Sequence, residues 1–145
     1  MGWRRRGLAF LAGGASVLAY APIGLFPLAF VALGLLFWLI GPGTPAVVAA
    51  AGRRQRMRDG FSVGFAWGLG AMLAGVSWLY VALHRFGGMP VPLAAIAVLL
   101  FCAVVGFFAG LAGGIFGGLK RGRMVPDVAL FAAAWLIGEW MRDWV

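Results

Sequence analysis

Acidic residues are scarce in this chain: Asp and Glu together occupy four of 145 positions, against twelve Lys and Arg. None of the four lies in the middle of an apolar run, which argues against an ion-coupled transporter, whose proton or cation site needs an intramembrane acid. One cysteine and one histidine leave no disulfide framework and no metal-ligand cluster. No phosphate-cradling glycine loop and no nucleophile with its base is present, so no cofactor is expected. Cys102 stands alone inside an apolar run and reads as a small hydrophobe. Charged residues amount to 11% of the chain, against about 25% in soluble domains, and no polar stretch is long enough to fold separately in water.

Apolar residues are abundant instead. They make up 63% of the sequence, and the mean hydropathy is +0.99. The net charge of +8 and the pI near 11.6 raise the question of nucleic acid, and the placement of the charge answers it. Arg4, Arg5 and Arg6 form one cluster, Arg53, Arg54, Arg56 and Arg58 a second, and Lys120, Arg121 and Arg123 a third, each flanking apolar runs. That is the positive-inside pattern of a membrane protein, with the N-terminus and basic loops in the cytoplasm, and not a phosphate-binding surface.

Counting crossings between the clusters sets the topology. An even number must separate the first two, so residues 8–21 and 28–40 form a short hairpin tipped by Pro22, Gly24 and Pro27. Ala19-Tyr20-Ala21 resembles a signal-cleavage motif, but Pro22 hinders cleavage and the apolar sequence resumes at once, so the segment is expected to stay. Each arm is about 20 Å long, short for a hydrocarbon core of about 30 Å. Further segments are expected at 61–83, 91–119 and 125–141, with basic loops at 41–60 and 120–124 and an outer turn at 84–90. The fold class is therefore all-α, a polytopic transmembrane helical bundle of about five segments. Trp135, Trp140 and Trp144 mark the last outer boundary.

Glycines recur every fourth residue at Gly60, Gly64 and Gly68, and again at Gly106, Gly110, Gly114 and Gly118. Small residues at this spacing let helix backbones approach in lipid, so these segments are expected to pack through them, a glycine-lined groove for a lipid tail being the alternative. Ser77, Tyr80 and His84 share one helical face, with Trp78 beside them. They read either as an interfacial anchor or as the polar edge of a substrate entrance. Glu139 and Arg142, three residues apart, are placed to pair.

Three stretches carry a resemblance. SWLYVALHRFGGMPVPLAA from Ser77 to Ala95, LAYAPIGLFPLAF from Leu18 to Phe30 and EWMRDW from Glu139 to Trp144 resemble the N-terminal membrane region of bacterial apolipoprotein N-acyltransferases. The resemblance implies an inner-membrane acyltransferase of lipoprotein maturation. Its substrates would be a phospholipid acyl donor and a diacylglyceryl-modified apolipoprotein, and no nucleic acid is involved. Its chemistry would belong to a nitrilase-like domain with a Glu-Lys-Cys triad, whose thiolate takes the acyl group as a thioester. That domain is absent from these 145 residues, so the chain reads as a fragment, inactive alone and partnered by the missing C-terminal domain and by membrane lipid. The family's cysteine is not Cys102. Trp78, Tyr80, His84, Gly87, Gly88 and Pro90 match the family's outer turn and are expected to form a rim where lipid enters. The rival reading is a small non-enzymatic membrane packing or transport protein.

Overall fold

The computed structural model describes residues 2–19, 24–41 and 43–144. Seven α-helices and no strand occur among them: α1 (Gly2–Ser16), α2 (Pro27–Ile40), α3 (Pro45–Ala50), α4 (Arg53–Gly75), α5 (Ser77–Val81), α6 (Val91–Leu119) and α7 (Met124–Arg142). The chain is an all-α membrane bundle. By length and composition α6 and α7 each suffice to cross a bilayer, and α4 with the helical stretch 77–86 makes a third candidate, bent by 54°. Helices α1 and α2 have 15 and 14 residues, about 21–23 Å each, and fall short of a full span. Their hairpin is closed by Leu25, whose backbone N–H donates to the Leu18 carbonyl at 3.3 Å. Pro22, assigned to its tip, lies outside the described residues; Gly24 has a left-handed φ of 69° and Pro27 opens α2.

Helix α4 is the centre of the bundle, with α6 along one face and α1 along another. The α4–α6 seam is a contact of backbone on backbone. A Cβ on Gly60 would collide with the carbonyl of Gly113, one on Gly64 would stand 3.3 Å from the Cα of Gly110, and one on Gly68 2.9 Å from the Cα of Gly106. The seam does not follow the four-residue spacing to its end. Four residues of helix turn 400°, so a strict i+4 stripe drifts by about 40° per step and leaves a straight interface. On α6 the closest backbone approach therefore moves from Gly106 to Gly113 and Gly117, while Gly114 and Gly118 instead accommodate the side chains of Phe61 and Met57. A second seam, on α1, uses Gly13 against the Trp67 carbonyl and Gly70 against that of Phe10. Between α2, α6 and α7 the packing is aromatic: Phe37, Phe116 and Phe131 form a triangle with centroids 5.3 to 5.5 Å apart.

Several boundaries differ from the sequence reading, each for a local reason. Helix α4 begins at Arg53, not Phe61, because Arg, Gln and Met are good helix formers and the charge run does not interrupt the ladder. For the same reason α1 begins at Gly2 and carries Arg4 to Arg6 on its first turns. The stretch 61–83 is broken at Val76 (φ −111°, ψ 12°). Gly75 precedes the break, and Ser77 Oγ, 3.4 Å from the Ala74 carbonyl, draws the turn toward its own side chain.

All three basic clusters gather at one end, and part of that charge holds the helix ends together. The Arg56 guanidinium donates to the carbonyls of Val48 and Ala51 at the end of α3 and to those of Gly117 (3.3 Å) and Gly118 (3.5 Å) at the end of α6. Lys120 Nζ donates to the carbonyls of Ile40 (3.1 Å) and Gly41 at the end of α2. Burial first, and then the charge of Arg56, push the Lys120 pKa below its ordinary value. Cations at these positions satisfy orphan carbonyls and meet the negative ends of three helix dipoles. Asp127, in the first turn of α7 and 1% exposed, accepts from the backbone N–H groups of Arg121 and Gly122 at 2.8 Å each. It ties the preceding loop to the helix.

Candidate functional site

Two features of different kind stand out, one at the end opposite the three basic clusters and one among the helices. The first is the turn at 84–90 that the sequence reading expects on the outer side. After α5 the helix widens into a π-turn, Ala82–Phe86, closed by the Gly87 N–H on the Ala82 carbonyl at 3.0 Å. Gly88 then adopts a left-handed φ of 64°, which a side chain resists, and Pro90 precedes α6 and accepts from the Ala94 N–H. His84 stacks on Tyr80 with centroids 5.9 Å apart, and its Nδ1 lies 2.9 Å from the Met89 carbonyl. A carbonyl only accepts, so Nδ1 carries the proton and Nε2 is left available. Of the six residues expected on the rim, Tyr80 and His84 stand together. Gly87, Gly88 and Pro90 shape the turn beneath them, and Trp78 is exposed.

The second feature lies among the helices. A cavity of about 450 Å³ opens between α1, α2, α4 and α7, walled by Ala29, Leu33, Ala71 and Val76 among others. Among the described residues, the only charged side chains in its lining are Glu139 and Arg142, which form an ion pair one turn apart with both partners partly exposed. Beside it, a groove of about 790 Å³ runs between α2 and α7 along Gly34, Phe37, Trp38, Val128 and Phe131. Leu33 and Trp135 line both hollows, so an apolar path from the flank of the bundle ends at a charged pair. None of residues 77–90 lines either one.

The key residue the motifs did not reveal is Trp67. It lies mid-helix, 9% exposed, and packs edge to face on Trp135 with centroids 5.1 Å apart, so Trp135 sits inside the bundle at the same depth and not with Trp140 and Trp144 at the outer boundary. Its Nε1 has no hydrogen-bond partner among the described residues. The available signal was its position, since a Trp midway along a glycine-rich segment is too deep for an interfacial belt. Among the described residues no group of three His, Cys, Asp or Glu converges on a possible metal position. Cys102 is buried and free.

Comparison with known proteins gives the family. The profile of the apolipoprotein N-acyltransferase N-terminal domain matches residues 12–145. The chain is similar to the apolipoprotein N-acyltransferase of Ralstonia nicotianae, 40% identical over 138 residues that cover 93% of this chain and 24% of that protein. The protein of the same name from Coxiella burnetii is 37% identical over 138 residues, covering 94% of this chain and 26% of the relative. That of Pseudomonas paraeruginosa is 37% identical over 145 residues, covering 99% and 26%. The chain thus spans about a quarter of the length of the curated relatives it matches. With its match running through nearly every helix described above, the chain belongs to the apolipoprotein N-acyltransferase N-terminal domain family.

Proposed function

We propose that this chain forms the membrane part of an apolipoprotein N-acyltransferase, which moves an acyl chain from a phospholipid to the N-terminal amine of a diacylglyceryl-modified lipoprotein. On this reading the basic end faces the cytoplasm across a bacterial inner membrane, and the far end faces the catalytic domain supplied by the other three quarters of such a protein. A thiolate there would attack the lipid ester and release a lysophospholipid, and the amine would then displace the thiolate from the thioester. The membrane part contributes positioning, and by itself transfers nothing.

The observation that carries the proposal is the apolar groove between α2 and α7 that meets the Glu139–Arg142 cavity at Leu33 and Trp135. A phospholipid has the same division, a long apolar tail and a charged head, and the hollows are of the size that ligand pockets usually have, about 300–1,000 Å³. The outer turn with Trp78, Tyr80, His84, Gly87, Gly88 and Pro90 serves as a rim at the same end.

The test uses a chimera in which this chain replaces the matching quarter of the Ralstonia nicotianae relative. A Cβ on Gly34 meets nothing within 4 Å, so Gly34→Leu fills the groove without disturbing a helix contact. Acyl transfer to a model lipoprotein, read by mass, is expected to fall about tenfold, with membrane insertion unchanged. Tyr80→Ala and Gly88→Val are expected to lower transfer in the same way. Full transfer in all three variants would remove both groove and rim from the proposal.

A further inference from the structure

Two groups stand out among the ten cations of the basic end. Arg56 and Lys120 are engaged by helix-end carbonyls. Arg5, Arg6 and Arg58 make no hydrogen bond or ion pair with another described residue, yet all three border the same bay. The bay consists of two adjoining hollows, of about 500 Å³ and 430 Å³, that share Arg6, Gln55, Asp59 and Ser62. Arg58 opens on the first and Arg5 on the second. The first has an apolar floor, the partly exposed Leu111 and Ile115 of α6, while the second is backed by Leu39 and Ile40 of α2, which are already buried in the bundle. One acid faces these three guanidinium groups, Asp59, whose oxygens already accept from Gln55 Nε2 at 3.0 and 3.1 Å.

We propose that this bay, between the first turns of α1 and α4, binds an anionic glycerophospholipid, its phosphate held by Arg5, Arg6 and Arg58 and its chains lying over the apolar floor of the first hollow.

Each part of the bay selects against a simpler ligand. Guanidinium groups with free donor edges are suited to phosphate oxygens, and three of them against one engaged carboxylate leave an excess of two positive charges. A free phosphate would leave Leu111 and Ile115 uncovered. A zwitterionic lipid would bring its ammonium or choline among the same three cations. An anionic headgroup meets neither objection, and basic hollows between helices at a membrane surface are suited to such lipids. The inference stands on this end of the bundle alone and does not depend on acyl transfer.

The test is lipid retention by the intact chain, purified in neutral detergent doped with equal phosphatidylglycerol and phosphatidylcholine and weighed by native mass spectrometry. Phosphatidylglycerol is expected to be retained over phosphatidylcholine by about tenfold, and the preference to weaken at high salt. The triple change Arg5→Gln, Arg6→Gln, Arg58→Gln is expected to abolish it, the corresponding Lys triple to keep most of it, and Arg85→Gln at the other end to leave it intact. Circular dichroism checks that each variant is folded. If the Gln triple does not fold, Arg58→Gln alone is read, with a severalfold loss expected. Equal retention of the two lipids, an undiminished preference in a folded Gln variant, or displacement of the lipid by millimolar inorganic phosphate would overturn the proposal.

Discussion

Replacing Gly60 by leucine is expected to part α4 from α6 and to destabilise the bundle by about 3 kcal/mol or more. Even a methyl group on Gly60 would collide with the Gly113 carbonyl, and a Cβ on Gly113 would collide with that of Gly60, so neither backbone has room to yield alone. The obstruction is main chain in the middle of two long helices. Relief therefore requires the helices to separate along the whole seam, and the close approach at Gly64 and Gly68 is lost with it. Two substitutions serve as controls. Gly114→Ala would set its Cβ 3.4 Å from its neighbours, an ordinary van der Waals contact, and Gly34→Ala meets nothing within 4 Å. Both are expected to unfold within about 1 kcal/mol of the parent chain when helicity is followed through a thermal or denaturant transition. Equal stability of Gly60→Leu and Gly34→Ala would mean that the glycine seam does not hold the bundle.

The second large effect is expected at Arg56. Its guanidinium is shared among the carbonyls of Val48, Ala51, Gly117 and Gly118, so one side chain ties the ends of α3 and α6 to the first turns of α4. Arg56→Met keeps the aliphatic stem and removes every donor, leaving four partly buried acceptors to find other partners. A loss of about 3 kcal/mol follows, since bonds to a charged group contribute about 1.5–3 kcal/mol each and some carbonyls regain water. Arg56→Lys should recover only part of it, because a single ammonium lacks the planar fork that reaches two helix ends at once. Arg54, exposed on the same helix, supplies the comparison. Its change to Met is expected to move the unfolding midpoint little. Amide exchange localises the effect: Arg56→Met should loosen α3 and the last turn of α6 before the rest of the bundle. Identical behaviour of the Arg54 and Arg56 variants would leave the capping role without support.

The features readable from the sequence were those written as long patterns. Apolar runs located α6 and α7, the prolines and glycines around residue 24 marked a hairpin, and the glycine spacing pointed to the faces on which α4 and α6 meet. What escaped depended on neighbours that no local pattern records. Arg53 to Arg58 look like a solvated loop because they are charged, yet helix propensity and the carbonyls waiting for Arg56 make them the first turns of α4. The i+4 stripe on α6 continues through Gly114 and Gly118, past the point where helical drift hands the contact to Gly113 and Gly117. The break at Val76 has no proline to announce it, only Gly75 and Ser77 on either side. Among the site residues, the Glu139–Arg142 pair was visible as an i, i+3 spacing, and the Tyr80–His84 stack as a shared face. The meeting of cavity and groove at Leu33 and Trp135 was not, because residues about a hundred positions apart come together only when α2 and α7 are set side by side.

The central claim is that this bundle serves acyl transfer to lipoproteins, and the most direct measurement is N-acylation by the chimera that joins this chain to the remainder of the Ralstonia nicotianae relative. Mass analysis of a diacylglyceryl-modified lipoprotein, isolated from cells whose own N-acyltransferase has been depleted, reports the added acyl chain. The chimera is expected to add one acyl chain to the N-terminal amine, while the 145-residue chain alone adds none. A chimera that is inserted and intact yet leaves the amine free, beside a relative that acylates it fully, would contradict the account.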